Sequence, residues 1–138
     1  MNMTKPTSLD TQGLPVGYAF KPEYERTPRD AHAALATNAA MIVDVRTNEE
    51  WNFAHIPGSI HIPLDQIEKR ADEIELAPGQ ELLLLCHHGV RSMRAALALR
   101  QLGYPNALSI AGGIELWSLA ADPSVSRYDR SSGQIRLI

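Results

Sequence analysis

The residues able to do chemistry are concentrated between Cys86 and Ser92, where the chain reads CHHGVRS. The only cysteine of 138 residues ends the apolar run Leu82 to Leu85 and opens a short turn that closes on Arg91. A thiol is mostly protonated at neutral pH and becomes a nucleophile as its thiolate, a form favoured by helix N-termini and cationic neighbours. If residues 87 to 91 curl over the sulfur, successive backbone N–H groups make an anion nest, and a helix beginning near Arg91 adds its positive end. Gly89 allows backbone angles that a Cβ would forbid. Arg91 carries a permanent charge, and His87 and His88 add more when protonated. Such a turn suits a thiolate, a persulfide or an oxyanion. A cysteine ending an apolar strand is, taken alone, more often a small buried hydrophobe; Gly89, Val90, Arg91 and Ser92 behind it turn the reading towards reactivity.

One cysteine excludes an internal disulfide and any CxxC zinc or redox site, so a reacting Cys86 takes its partner from another molecule. Adjacent His87 and His88 lack a second cluster of ligands, so no metal is expected, and no cofactor is called for. The net charge of -3 and the absence of a Lys/Arg cluster argue against nucleic acid. No apolar run approaches the roughly 20 residues that span a bilayer. The first residues hold one lysine and no apolar core of a secretory signal, so no membrane association and a cytoplasmic location are expected.

The elements that must position this turn follow from the patterning. A hydrophobic content of 44% and a charged content of 21% are those of one globular domain. Residues 1–17 read as a flexible tail, 18–122 as the domain, and 123–138 as an extension packing on or beside it. Thr27, Pro28 and Asp30 carry the capping signals of a helix. Met41 to Val43 form a short strand ending at Asp44, and Asn48 to Ala54 a brief helical turn. Ser59 to Ile62 form a second strand and Leu64 to Ala71 a short helix. Leu82 to Leu85 read as a strand covered on both faces. Arg91 to Leu102 make the clearest helix, with Gly103 behind it. Ala107 to Ile110 give a further strand, Gly112-Gly113 lead into a helix with Ile114 and Trp117, and Gln134 to Ile138 suggest an edge segment. Strands alternating with helices imply a mostly parallel sheet with helices on both faces, whose ligands sit beyond the carboxyl ends of the strands. Cys86 lies at such an end.

Three separated stretches, IVDVRTNEEW followed by AHIPGSIHIPL, the loop LLLLCHHGVRS, and AGGIELW, resemble single-domain rhodaneses, the sulfurtransferase family. The resemblance spans roughly residues 26 to 119; Ala54 before His55, where the family often has Gly, is one departure. It implies a rhodanese-like α/β fold with a five-stranded parallel sheet flanked by helices, a catalytic Cys86, an active-site loop to Arg91, and a persulfide intermediate. It also implies that Asp44, with Arg46 beside it, supports the site; read as residues alone, they are a strand-end aspartate closing a turn and a surface arginine. His55 and His61 are expected to shape turns, and Trp117 to be core. Related phosphatases have five residues between Cys and Arg. Here His87, His88, Gly89 and Val90 make four, a ring that fits sulfur better than phosphate. The resulting expectation is a ping-pong sulfurtransferase that takes sulfur from a small anionic donor such as thiosulfate and passes it to cyanide or a thiol. In it the loop N–H groups stabilise the persulfide and Arg91 orients the donor. A sulfur-relay or binding module charged by a protein partner is the alternative, with a phosphatase or arsenate-type reductase behind it.

Overall fold

The computed structural model describes residues 8–138. A five-stranded parallel sheet runs in the order β1-β5-β4-β2-β3, with β1 Glu25–Arg26, β2 Ala40–Asp44, β3 Ile60–His61, β4 Glu81–Leu85 and β5 Leu108–Ile110. The register sets Ala40 beside Glu81 and Asp44 beside Leu85, so β2 and β4 end together. Strand β4 is central and apolar from Leu82 to Leu85, and its alternation divides the core. Leu82 and Leu84 face Ala95, Ala96 and Leu99 of α3 (Val90–Arg100), together with Ile67 and Ile74. Leu83 and Leu85 face Ala31 of α1 (Pro28–Ala36) and Ile114 and Trp117 of α4 (Gly113–Ala120). Side chains on opposite faces of one strand thus recruit helices to both sides of the sheet.

The capping signals act as read. The Thr27 side chain accepts from the Asp30 N–H, with Pro28 in the first turn of α1. Helix α2 (Asn48–Phe53) has a full capping box between Thr47 and Glu50. Other expectations are corrected. The short helix over Leu64 to Ala71 is instead two 3-10 turns, Leu64–Gln66 and Ala71–Glu73. The edge strand β1 lies where no strand was expected, because its two residues are too few to show a period. The C-terminal segment does not join the main sheet; β6 (Tyr128–Asp129) and β7 (Arg136–Leu137) form a separate antiparallel pair.

The expected tail over residues 1–17 lies outside the described residues as far as residue 7. From there it is packed: Leu9 bridges to Pro15, and Leu14 is buried against Ala111 and Leu116. A leucine among prolines and glycines carries no periodicity, so its burial depends on a partner surface that local sequence does not display. After residue 122 the chain returns to the sheet, where Val125 and Tyr128 are buried in the α1/α4 core.

Helix α4 fixes the turn that follows β4. Its N-terminal N–H groups, from Ile114 and Glu115, donate to the carbonyls of Cys86 (2.8 Å) and His87 (3.2 Å). Gly113 permits this approach. It has φ +64°, and a Cβ there would lie 2.3 Å from the His87 carbonyl oxygen. Gly113→Ala therefore meets both a left-handed backbone and rigid atoms, and is expected to cost about 2 kcal/mol or more. Urea denaturation measures that loss.

Candidate active site

Cys86 sits one residue beyond β4, with its side chain buried. The backbone N–H of Gly89 donates to Sγ at 3.0 Å. Gly89 occupies the N-cap of α3 with φ 107°, a conformation that reverses the chain over the sulfur. The N–H groups of the first turn of α3 have no acceptor within the helix, so its positive end is presented to the loop. On the inner side Sγ lies 3.3 Å from Ser92 Oγ, which lies 2.7 Å from Ser109 Oγ on β5. Both serines are fully buried. A hydroxyl rotates to suit its partner, so this pair accepts from the thiol and donates to a thiolate.

Arg91, the last residue of the loop, pairs with a carboxylate. Arg91 Nη1 and Nη2 donate to Glu50 Oε1 and Oε2 at 2.7 and 3.0 Å. Glu50 is completely buried, and its Oε1 also accepts from the Thr47 N–H at 3.2 Å through the capping box. Tyr128 Oη donates to Oε2 at 2.5 Å, and Arg130 Nη1 lies 3.4 Å from Oε1. Burial alone would raise the Glu50 carboxyl; the hydrogen bonds from Arg91 and Tyr128, with the Arg91 charge, outweigh it and hold the carboxyl at about 2. Both terminal nitrogens of Arg91 thus serve a buried carboxylate, while its charge also acts on Cys86.

Asp44 and Arg46 form a second buried ion pair. Arg46 Nε donates to both Asp44 oxygens and Nη2 donates to Oδ2 at 2.7 Å. Arg46 also donates from Nη2 to the Ala54 carbonyl and from Nη1 to Tyr128 Oη at 3.0 Å. The expected surface arginine is therefore a fully buried brace, while Asp44 does close its turn by accepting the Arg46 N–H. With Nη1 also donating to the Glu50 carbonyl at 3.4 Å, the guanidinium fork of Arg46 ties four groups from three parts of the chain.

His87 differs from expectation as well. It stacks on Tyr128 with ring centroids 4.1 Å apart and 8° between planes, and Nε2 lies 3.1 Å from the Tyr128 carbonyl oxygen. Burial, then the neighbouring His88, pushes its pKa down to about 4, so it is neutral near pH 7 and adds no charge to the loop. His88 is exposed, and Val90 stands on the rim at 73% exposure. His55 and His61 both stack on Trp51, and His61 Nε2 contacts the Arg46 carbonyl, so they shape the neighbouring turns. Trp117 is core. A groove of about 650 Å³ lies beside the loop, lined by Thr47, Asn48, Leu64, Gln66, Arg91 and Arg94 among others; Cys86 does not line it. No group of three or more candidate metal ligands occurs among the described residues.

Three residues of the site carried no functional signal in the sequence: Glu50, Ser109 and Tyr128. Glu50 sits in the T-x-x-E pattern of a capping box, whose glutamate is ordinarily exposed. Two pH windows follow from the neutral His87 and the charged Glu50. Both groups bind fewer protons folded than unfolded, so acid favours the unfolded chain. Stability is expected to fall as pH drops from about 6.5 towards 4 through His87, and from about 4.5 towards 2 through Glu50. Urea midpoints across pH measure this, and His87→Asn should remove the upper window only. At neutral pH, Glu50→Gln leaves two arginines facing an uncharged group and is expected to cost about 3–5 kcal/mol by the same measurement.

Comparison with known proteins gives this arrangement a family. The Rhodanese-like domain matches residues 27–120. Thiosulfate sulfurtransferase GlpE of Pseudomonas syringae is 35% identical over 95 residues, which cover 69% of this chain and 88% of that protein. The adenylyltransferase and sulfurtransferase uba4 of Ogataea parapolymorpha is 30% identical over 112 residues, 78% of this chain but 28% of its own length. Several curated relatives are thus much longer than the region they share with it; the chain also spans only 40% of YrkF from Bacillus subtilis. Among solved structures, the human single-domain sulfurtransferase TSTD1 superposes with a TM-score of 0.59 at 29% identity, over 67% of this chain and 93% of that one. With the domain match running from the cap of α1 to the end of α4, and the cysteine loop at the head of its central strand, the chain belongs to the rhodanese-like domain family.

Proposed function

We propose that the protein is a sulfurtransferase that carries sulfur on Cys86. The observation that carries this reading is the Gly89 N–H on Sγ at 3.0 Å, inside a turn with four residues between Cys86 and Arg91. With thiosulfate as donor, the Cys86 thiolate attacks the outer sulfur. A new S–S bond forms to Sγ, the sulfur–sulfur bond of thiosulfate breaks, and its electron pair leaves on sulfite. The protein is left as a persulfide anion. Cyanide or a thiolate then attacks the outer sulfur, giving thiocyanate or a new persulfide and returning the Cys86 thiolate.

The environment supports both half-reactions. Negative charge stays close to Sγ throughout, first on the thiolate and then on the adjoining sulfur, and the Gly89 N–H and the start of α3 stand where that charge sits. Ser92, backed by Ser109, can donate to the thiolate when sulfur departs. Because Arg91 is held by Glu50, binding of the anionic donor falls on backbone groups rather than on a free cation. The four residues between Cys86 and Arg91, one fewer than in the related phosphatases, weigh against a phosphatase.

A second reading, a relay module that receives sulfur from a protein, is favoured by the much longer relatives in which this region is one part. No helix among the described residues is long and apolar enough to cross a membrane. Incubation with thiosulfate followed by intact-protein mass spectrometry tests the leading reading. A gain of one sulfur atom is expected, absent in Cys86→Ser, and its absence from the native chain sinks it. Charging by a cysteine desulfurase but not by thiosulfate establishes the relay instead.

A further inference from the structure

The Rhodanese-like domain match ends at residue 120, yet the loop is held from beyond it. Tyr128, buried at 1% exposure in β6, reaches both ends of the Cys86–Arg91 turn. At the first loop position it stacks on His87 and places its carbonyl oxygen 3.1 Å from His87 Nε2. At the last position it acts through Glu50. Its hydroxyl donates to Oε2, the oxygen that accepts Arg91 Nη2, and itself accepts from Arg46 Nη1. One phenol therefore joins the Asp44–Arg46 pair to the Glu50–Arg91 pair and covers the opposite end of the loop with its ring. Tyr128 Oη is well suited to this: burial and the Glu50 carboxylate push its ionisation well up, so it remains a donor.

We propose that Tyr128 is a positioning residue for sulfur transfer, fixing both ends of the Cys86 loop from a segment outside the family domain. It makes no hydrogen bond to Sγ, so its effect runs through His87 and through Glu50 to Arg91. A loop held at its two termini keeps the Gly89 N–H on the sulfur; one released at either end lets that donor drift. Displacements of about 1 Å in such donors are worth up to about a hundredfold in rate. The inference rests on the reading of Cys86 as the sulfur carrier.

Two substitutions in the full chain separate the two grips. Tyr128→Phe keeps the ring against His87 and loses both hydroxyl bonds, while Tyr128→Leu loses the stack as well. Single-turnover sulfur uptake from thiosulfate is expected to fall about tenfold in the first and about a hundredfold in the second, with the rate at saturation falling and half-saturation little moved. Alkylation of Cys86 by iodoacetamide, measured well below the unfolding transition, is expected to quicken in the same order. Val125→Ala is the control: Val125 packs in the same segment against the α1/α4 core without touching the loop, and its loss should lower the urea midpoint and leave both rates unchanged. If Tyr128→Phe and Tyr128→Leu lose stability as Val125→Ala does, with uptake and alkylation at native rates, the proposal is overturned. Should the native chain take no sulfur from thiosulfate, it is the sulfurtransferase reading that falls. The alkylation rates then decide on Tyr128 alone: faster alkylation supports its grip on the loop, and unchanged rates end it.

Discussion

Everything around Cys86 depends on one buried carboxylate. Glu50 is shut off from water, and a charge in that position survives only if donors surround it. Arg91 supplies a bidentate fork, Tyr128 a hydroxyl, and Thr47 a backbone N–H. Each comes from a different element, so meeting the needs of this one group brings together the start of α2, the start of α3 and β6. The loop's shape is, in this sense, set from behind by the demand for charge neutrality rather than by the loop's own residues.

That arrangement divides two tasks a cationic loop might be thought to combine. The guanidinium of Arg91 makes its hydrogen bonds to Glu50, and the imidazole of His87 is neutral, so neither side chain donates to the sulfur. Fixed peptide dipoles take over. The carbonyls of Cys86 and His87 are drawn away by the N–H groups of α4, while the Gly89 N–H is turned inward. Dipoles frozen in this way need no reorganisation when charge appears, and they hold their direction whether the sulfur carries a proton, nothing or a second sulfur. The close approach at Gly113 is what permits this orientation.

Local patterns revealed much of the scaffold and little of the wiring. The apolar run before Cys86 announced a strand buried on both faces, and the Ala/Leu-rich stretch after Arg91 announced α3, because burial and helical periodicity write themselves directly into residue order. The loop itself was legible through Cys86, Gly89 and Arg91, whose spacing is short. Glu50 was not: a capping-box glutamate looks the same whether it faces water or two arginines. Arg46 reads as a surface residue for the same reason, since the groups that accept its hydrogen bonds come from the 40s, 50s and 120s of the chain. Tyr128 lies 78 residues from Glu50, in a stretch of two-residue strands with no periodicity to recognise. Leu14 escaped notice likewise. What the sequence did not display were contacts across the tertiary structure, which leave no mark on neighbouring residues.

The small β6–β7 pair has a consequence for motion. It joins only two residues to two, and its outer members, Arg136 and Leu137, are exposed. Segments with so few protected backbone bonds open at far lower free energy than a central strand, by local fraying that leaves the rest of the fold intact. The five-stranded sheet and its two cores can thus remain closed while β7 peels from β6. The two strands of the pair are thus unequal in release: β7 can come and go while Tyr128 of β6, buried in the core, keeps its place against the loop.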